Sequence, residues 1–147
     1  MGIRTRGLNE HIQANANREA KLRDLTPIMN RFSAEYITSI NPKRFREQKT
    51  PEGQKWKPIT AKTEKAYKKK FNDVIPGNIL KRKGGLMRSV SRKVGKHGFQ
   101  IFTNQVYAAT HQFGRGGIVA RKFLGFSKAT LARWRKAQEK WLASGSK

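Results

Sequence analysis

The stretch YAATHQFGRGGIVARKF, residues 107–123, changes character near its midpoint. Up to Gly114 it is uncharged and partly aromatic, and beyond that glycine the chain is glycine-rich and basic. Depletion of charge is typical of a buried segment or of the core of an interface. The stretch also contains His111, a residue type that serves in catalysis and in metal binding. Whether it is a reactive site or a piece of architecture depends on the sequence around it.

The charge of the chain is strongly unbalanced. Its 147 residues contain 33 Lys and Arg against 9 Asp and Glu, a formal net charge of +24. Residues 42–100 hold 18 basic and 4 acidic side chains, residues 115–147 hold 9 and 1, and residues 101–114 hold none. Such a chain repels itself unless polyanions or counterions lie nearby. Contact with nucleic acid is therefore favoured over a merely solvated surface.

Length and composition favour one domain with a modest core. The chain is long enough for one domain of ordinary size but not for two. Its hydrophobic content of 36% is below the globular average, so we expect parts of it to be extended or ordered only against partners. The sequence contains no cysteine, which excludes disulfides and thiolate metal sites. We expect a single domain over residues 1–147, with residues 1–25 as a helical arm and residues 143–147 as a frayed tail.

Helical spacing of apolar residues marks both ends of the chain. Residues 8–25 predict a first helix. A second helix is predicted to begin with Thr26 as its cap and to be stopped by Asn41-Pro42. A final helix is predicted after Ser127, which should cap it. One face of the second helix carries Ile28, Phe32, Tyr36 and Ile40, and one face of the last carries Leu131, Trp134, Gln138, Trp141 and Leu142. Of these residues, we expect Ile28, Phe32, Tyr36, Leu131, Trp134 and Trp141 to be buried.

The middle of the chain is predicted to form a turn and a short lysine-rich helix. TPEG at 50–53 has proline at the second position of a turn. Thr60 should cap a helix over AKTEKAYKKKF, residues 61–71. We interpret Tyr67 and Phe71 of this helix as core anchors.

A β-hairpin and a short helical turn are predicted next. Apolar and polar residues alternate on both sides of GKHG at 95–98, which indicates two antiparallel strands. NQVYAATHQFG should contain a helical turn ended by Gly114, and IVARKFLGF should be extended. The expected fold class is α+β, with N-terminal helices, a small antiparallel β-sheet and a C-terminal helix.

Patterns of catalytic and metal-binding residues do not emerge from the sequence. No two of His11, His97 and His111 have metal-ligand spacing, and the nine carboxylates are scattered. The chain has neither a P-loop nor a G-x-G-x-x-G motif, and its serines lack the context of a nucleophile elbow. We therefore expect no enzyme activity, no metal and no cofactor, and we interpret His111 as structural.

Short basic clusters are the candidate phosphate contacts. They are KAYKKKF at 65–71, KRKGG at 81–85 and RGG at 115–117. Neutralising phosphate requires charge and little geometry, so the lysines can face DNA even where the aromatic residues between them are core. The candidates that face DNA are Lys68, Lys69, Lys70, Lys81, Arg82, Lys83 and Arg115.

Three stretches, taken in order, resemble the phage virion morphogenesis family, whose members are also called tail-completion proteins. They are TPEGQKWKPITAKTEKAYKKK at 50–70, ILKRKGGLMRSV at 79–90 and YAATHQFGRGGIVARKFLGFS at 107–127. The resemblance covers about residues 45–127. The chain departs from the family pattern at Lys122, where proline is usual, and at Ile118-Val119, where Ile-Pro is commoner. The matching residues are Pro51, Gly53, Trp56, Pro58, Thr60, Thr63, Ile79, Leu80, Gly85, Leu86, Ser89, Tyr107, Ala108, His111, Gln112, Phe113, Gly114, Ala120, Arg121, Phe123, Leu124, Gly125 and Ser127.

The resemblance implies a structural virion protein of a tailed phage that acts in tail completion and head–tail joining, as in Mu-like phages. It implies a cyclic homo-oligomeric ring, with a hexamer as one option, around the DNA path of the neck. Expected partners are neighbouring neck and tail proteins and double-stranded DNA bound without sequence preference, and no membrane. The expected location is the neck or tail of the virion, after assembly in the host cytoplasm.

The opening stretch then becomes a piece of architecture. Its neutral half is expected to meet a neighbouring subunit, and Arg121 is expected to hold a carboxylate or a phosphate with two hydrogen bonds. The residues expected at the assembly interface are Tyr107, His111, Gln112, Phe113, Arg121 and Phe123.

Two alternatives stay open. A general basic nucleic-acid-binding protein explains the charge equally well, but explains neither the neutral stretch nor the three ordered motifs. Other neck roles, such as a tail terminator or a head-closure protein, fit the same features.

Overall fold

The computed structural model describes residues 6–71, 79–81 and 84–144 and shows helices together with one two-stranded antiparallel sheet. This confirms the predicted α+β class. The elements are α1 (Arg6–Arg23), α2 (Thr26–Glu35), a π-helical segment (Tyr36–Ile40), α3 (Asn41–Glu47), α4 (Ala61–Phe71), α5 (Gly85–Arg88), β1 (Ser91–Gly95), β2 (Gly98–Phe102), α6 (Ala108–Phe113) and α7 (Lys128–Ala143).

The apolar face of α2 and of the π segment supplies the centre of the core. Ile28, Phe32 and Tyr36 are 2%, 3% and 0% exposed, which confirms the predicted face. The ring of Phe32 stacks on Trp134 of α7 with centroids 5.1 Å apart, and Phe99 of β2 meets Trp134 edge-on. Fully burying a side chain of this size stabilises the fold by about 1.5–3 kcal/mol. The contacts of Phe32 and Phe99 with Trp134 therefore hold α2, the hairpin and α7 together.

The start of α2 differs from the prediction in its cap. Thr26 is the first helical residue, Leu25 occupies the cap position, and no side chain caps the helix from there. Asp24 takes over part of this role because its Oδ1 accepts the Thr26 N–H at 2.9 Å. This hydrogen bond lowers the pKa of Asp24.

The helix does not stop at Asn41-Pro42, so that prediction was wrong. The chain passes through the π segment, in which the Asn41 N–H bonds to the carbonyl five residues back at Tyr36, and continues as α3. Proline lacks an N–H, and its ring clashes with the carbonyl four residues back in a regular α-helix. A wider π turn directly before Pro42 accommodates the ring. The helix ends instead at Gln48, which adopts a left-handed conformation.

The hairpin and the predicted tight turn are both present. Strands β1 and β2 pair from Ser91 opposite Phe102 to Gly95 opposite Gly98, with a two-residue loop at 96–97. The Gly53 N–H bonds to the Thr50 carbonyl at 3.0 Å, which confirms the turn at 50–53.

Helix α4 forms as predicted but is not part of the core. Thr60 caps it, because its Oγ1 accepts the Thr63 N–H at 3.3 Å. Tyr67 is 42% exposed, so its interpretation as a core anchor was wrong. From Ala61 to Lys70 every side chain except that of Glu64 is exposed, because lysines leave no apolar stripe wide enough to bury. The side chain of Phe71 lies outside the described residues.

The terminal helices meet near the end of α7. Ser127 caps α7 by accepting the Thr130 N–H at 3.0 Å, as predicted. Trp134 is buried, but Leu131 is 50% exposed, so its predicted burial was wrong.

Helix α1 confirms the predicted first helix, but its side chains are mostly exposed. Ile12 and Leu22 are 58% and 47% exposed. Lys21 fixes the end of α1 to α7 by donating to the Trp141 carbonyl at 2.7 Å. The role of residues 1–25 as an arm stays a prediction, and residues 145–147 of the expected frayed tail lie outside the described residues.

Candidate functional site

Gln112, on the last turn of α6, binds the backbone of residues 121–125, called here the extended stretch. Its Oε1 accepts the N–H groups of Phe123 and Leu124, both at 3.0 Å. Its Nε2 donates to the Leu124 carbonyl at 3.0 Å. One amide side chain thus satisfies three backbone groups that a neighbouring strand would satisfy in a sheet. Gln112 therefore fixes α6 to the extended stretch.

Arg44 of α3 and Trp56 of the following loop bind the same stretch. Arg44 is 8% exposed, and its Nη1 donates to the carbonyls of Phe123 at 2.8 Å and Gly125 at 3.1 Å. Trp56 donates from Nε1 to the Lys122 carbonyl at 3.0 Å. A buried guanidinium is tolerated because these carbonyls, as hydrogen-bond acceptors, replace the water it has lost.

Among the described residues, Arg121 binds backbone carbonyls rather than a carboxylate, and its contact with a phosphate stays a prediction. Its side chain is 6% exposed and donates to the carbonyls of Lys57 at 2.8 Å and Pro58 at 3.0 Å. Its own N–H bonds to the His111 carbonyl at 2.7 Å. The loop at 57–58 lacks a strand partner, so the guanidinium supplies the donors that its carbonyls need. Burial lowers the pKa of Arg121.

Phe123 lies in the core rather than at the surface. It is 0% exposed, and its ring packs against Phe45, which in turn meets Trp56 edge-on with centroids 5.5 Å apart. Arg121 and Phe123 are both used inside the protomer, and their expected contact with a neighbouring subunit stays a prediction. Gln112 is likewise occupied by the extended stretch.

Two glycines of the segment at 107–127 allow other parts of the chain to pack closely against its backbone. Gly114 has φ 75°, and a Cβ there would lie 2.9 Å from the Ala120 nitrogen and the Ile118 oxygen. Gly125 has φ 137°, and a Cβ there would lie 2.9 Å from Cγ of Pro51. Any larger residue at either position would meet both backbone strain and a clash.

His111 lies half-buried between the core and the surface. Its ring meets Tyr107 edge-on with centroids 5.9 Å apart. Burial, with a contribution from the charge of Arg121, lowers the pKa of His111. Its buried Nδ1 has no hydrogen-bond partner among the described residues. The backbone of His111 is paired, since its carbonyl accepts the Arg121 N–H at 2.7 Å and its N–H donates to the Tyr107 carbonyl at 3.3 Å.

The segment at 102–119 carries a set of exposed apolar side chains, called here the apolar strip. Val106 is 95% exposed and Phe113 is 70% exposed. Six of the ten large apolar side chains that are exposed among the described residues fall between positions 102 and 119. An exposed concentration of this kind marks an interaction site more often than a solvated surface. The members of the strip are Phe102, Val106, Tyr107, Phe113, Ile118 and Val119.

The candidate DNA contacts lie on separate elements. Lys68, Lys69 and Lys70 are exposed on α4, Lys81 is partly buried, and Arg115 is exposed in the loop after α6. The other two candidates, Arg82 and Lys83, lie outside the described residues. The DNA contact of all seven stays a prediction.

The described residues show neither a cluster of metal ligands nor a membrane-spanning helix. In ranges 6–71, 79–81 and 84–144, no group of three or more His, Asp and Glu is placed to hold a metal ion. Over the same ranges, no helix combines the length and the apolar character needed to span a membrane.

The profile of the phage virion morphogenesis family matches residues 5–143. The chain belongs to this family. The match extends from the first helix to the end of α7, so it includes the apolar strip and the extended stretch. No curated protein and no solved structure matches the chain.

Sequence reasoning missed Arg44 and the role of Tyr36 in this phage virion protein. The hydroxyl of Tyr36 accepts from Arg44 at 2.9 Å and from the Gly125 N–H at 3.3 Å. Arg44 is one of 33 basic residues, so nothing in composition distinguishes it. The sequence signal for Arg44 is its position eight residues after Tyr36 on a continuous helix. The prediction that the helix ends at Pro42 placed Arg44 outside that helix.

Proposed function

We propose that this protein acts in tail completion and head–tail joining, as a structural rather than enzymatic subunit of a homo-oligomeric ring around the DNA path of the virion neck. The observation that carries the proposal is the apolar strip, which is exposed in a chain with a net charge of +24. Membership of the phage virion morphogenesis family supports a role in virion assembly.

The proposed partner at the apolar strip is a second copy of the chain. Copies with this much like charge repel one another at separations up to about the Debye length, beyond which salt screens the repulsion. From His97 to Gly114 the sequence has no formally charged residue, and most of the strip lies in this run. Two copies can approach there without placing like charges in contact. If the strip of one copy meets a different surface of the next, the contact repeats and closes into a ring.

Charge repulsion also sets when the ring forms. We expect a monomer or a weak oligomer in isolation, because the basic surface outside the strip opposes association. Stable rings are expected on the head or the tail, where DNA or acidic neighbours offset the charge. The protein would therefore be made in the host cytoplasm and ordered into the neck during assembly.

The test is complementation of a phage that lacks this gene, followed by electron microscopy of the lysate. Phe113→Ser and Val106→Ser remove apolar area from the strip without changing charge. We expect folded protein, DNA-filled heads and free tails, because the subunits no longer join. Leu131→Ser is the matched control, since Leu131 is 50% exposed and lies on α7, away from the strip in sequence.

Normal joined particles from both strip variants would overturn the proposed role of the strip. Heads without DNA would overturn the assignment to joining, because they indicate a step in packaging. Arg121→Ala is unsuitable for this test, since Arg121 is buried and its loss is expected to disturb folding itself.

A further inference from the structure

Four lysines share one side of α4 and form what is called here the lysine face. An α-helix advances about 100° per residue, so positions 62, 65, 68 and 69 fall within about one third of its circumference. All four side chains are exposed. The members of the lysine face are Lys62, Lys65, Lys68 and Lys69.

The stability of the helix does not account for the whole lysine face. Lys62 and Lys65 are three residues apart, and Lys65 lies three and four residues before the other two members, so the neighbours repel one another. The helix dipole disfavours the positive charge of Lys62 in the first turn, whereas it favours that of Lys68 and Lys69 in the last turn. None of the four has an ion-pair partner within the described residues. The repulsion between these neighbouring lysines is therefore not offset by ion pairs, and a polyanion would relieve it.

Residue type distinguishes the kind of polyanion. Protein interfaces are depleted in lysine and enriched in aromatic residues and arginine, so a face made only of lysines is unlike a protein-binding surface. Lysine binds phosphate as a point charge and needs no planar geometry. The seven steps from Lys62 to Lys69 span about 10 Å, over which a duplex presents about six phosphate charges. The supply of phosphate thus matches four lysines.

We propose that the lysine face of α4 is the surface that contacts the phosphate backbone of double-stranded DNA, without reading sequence. The location of that DNA in the virion neck rests on the proposed function above, but the contact itself does not. Lys70 points away from this face by helical geometry and is not included.

The experiment measures binding of the purified full-length chain to a short labelled DNA duplex by fluorescence anisotropy at several salt concentrations. One variant replaces all four lysines of the face by glutamine. Its control replaces four exposed basic residues of the last helix by glutamine, which removes the same charge. The control positions are Lys128, Arg135, Lys136 and Lys140.

Each phosphate contact contributes about 0.9 to the slope of log affinity against log salt. We expect the α4 variant to lose about 3.6 of that slope and the control to lose less than about 1. Circular dichroism and thermal unfolding confirm that both variants are folded. A second duplex of unrelated sequence should bind wild type equally well.

Equal loss of slope in the two variants would overturn the inference, because binding would then follow net charge alone. An unchanged slope in the α4 variant would overturn it as well. Poly-glutamate that displaces the duplex as well as competitor DNA does, at matched charge, would assign the face to an acidic protein instead. These outcomes are separate from the complementation test, since a chain that fails to join heads to tails still shows its salt slope with DNA.

Discussion

Helices α2 and α4 have similar lengths and similar spacing of larger side chains, yet only α2 is buried. Ile28 and Phe32 of α2 are nearly inaccessible, whereas Tyr67 of α4 is 42% exposed. In α2 the buried stripe is widened by Met29 and Ser33, which are also buried. In α4 the flanking positions are mostly lysines. Spacing thus predicts that a helix forms, and the width of its apolar stripe decides whether the helix is buried.

The largest expected effect comes from Phe32→Ala in α2. The ring is 3% exposed and stacks on Trp134, so its loss should lower the free energy of unfolding by about 3–5 kcal/mol. Denaturant unfolding checks this, with Leu131→Ala as the exposed control at under about 0.5 kcal/mol. Similar losses from the two variants would contradict the buried role of α2.

Gln112→Glu tests whether the extended stretch contributes to the stability of the fold, as buried α2 does, or contributes little, as exposed α4 does. The substitution replaces the Nε2 donor by an oxygen that faces the Leu124 carbonyl, so a hydrogen bond becomes a repulsion. The free energy of unfolding should fall by about 1–3 kcal/mol. Gln54→Glu is the matched control, because Gln54 is exposed, and it should change stability by less than about 0.5 kcal/mol. Equal effects would show that Gln112 does not fix the stretch.

A smaller, pH-dependent effect is expected at His111. Its folded pKa lies below the ordinary value of 6.5, because burial and then Arg121 disfavour the charged ring. Between these two values the unfolded chain binds more protons, so the free energy of unfolding falls as pH falls through this window. The stability that comes from keeping His111 neutral is fully present above about pH 6.5. Denaturant unfolding of wild type and of His111→Asn across this pH range measures the effect. If the free energies of unfolding of the two proteins change in parallel with pH, His111 does not cause the pH dependence.

The smallest expected effect is that of Tyr67→Ala in α4. Since Tyr67 is on an exposed helix, the free energy of unfolding should fall by less than about 0.5 kcal/mol. Denaturant unfolding of Tyr67→Ala beside Phe32→Ala compares the loss of unfolding free energy in the exposed helix with that in the buried one. A loss above about 1 kcal/mol would place α4 against the core and remove the distinction between the two helices.

Local signals predicted much of the fold. The hairpin follows from alternation around a glycine-flanked loop, and the caps at Thr60 and Ser127 follow from short-range hydrogen bonding. These features depend on neighbours in sequence, which a single chain displays. The apolar strip was partly predicted as well, because Tyr107 and Phe113 stand out as aromatic residues in an uncharged run and both are exposed.

Features that depend on distant residues were not predictable in the same way. Arg44 reaches Phe123, 79 positions further along the chain, and Arg121 reaches back to the loop at 57–58. A charged side chain in a basic sequence gives no sign that its partners are buried carbonyls. The residues expected at the assembly interface therefore include side chains that hold the protomer together, such as Arg121 and Phe123, as well as exposed ones, such as Phe113.

The π-helical segment makes chain length critical in the middle of a helix. It accommodates one more residue than a regular α-helical turn, and beyond it Arg44 and Phe45 are both buried. Deleting one residue between Ile37 and Ile40 would leave a continuous helix but rotate everything after it by about 100°. Arg44 would then turn away from the carbonyls of the extended stretch. Insertions and deletions that surface loops tolerate are thus forbidden here, where the helix carries its own one-residue insertion.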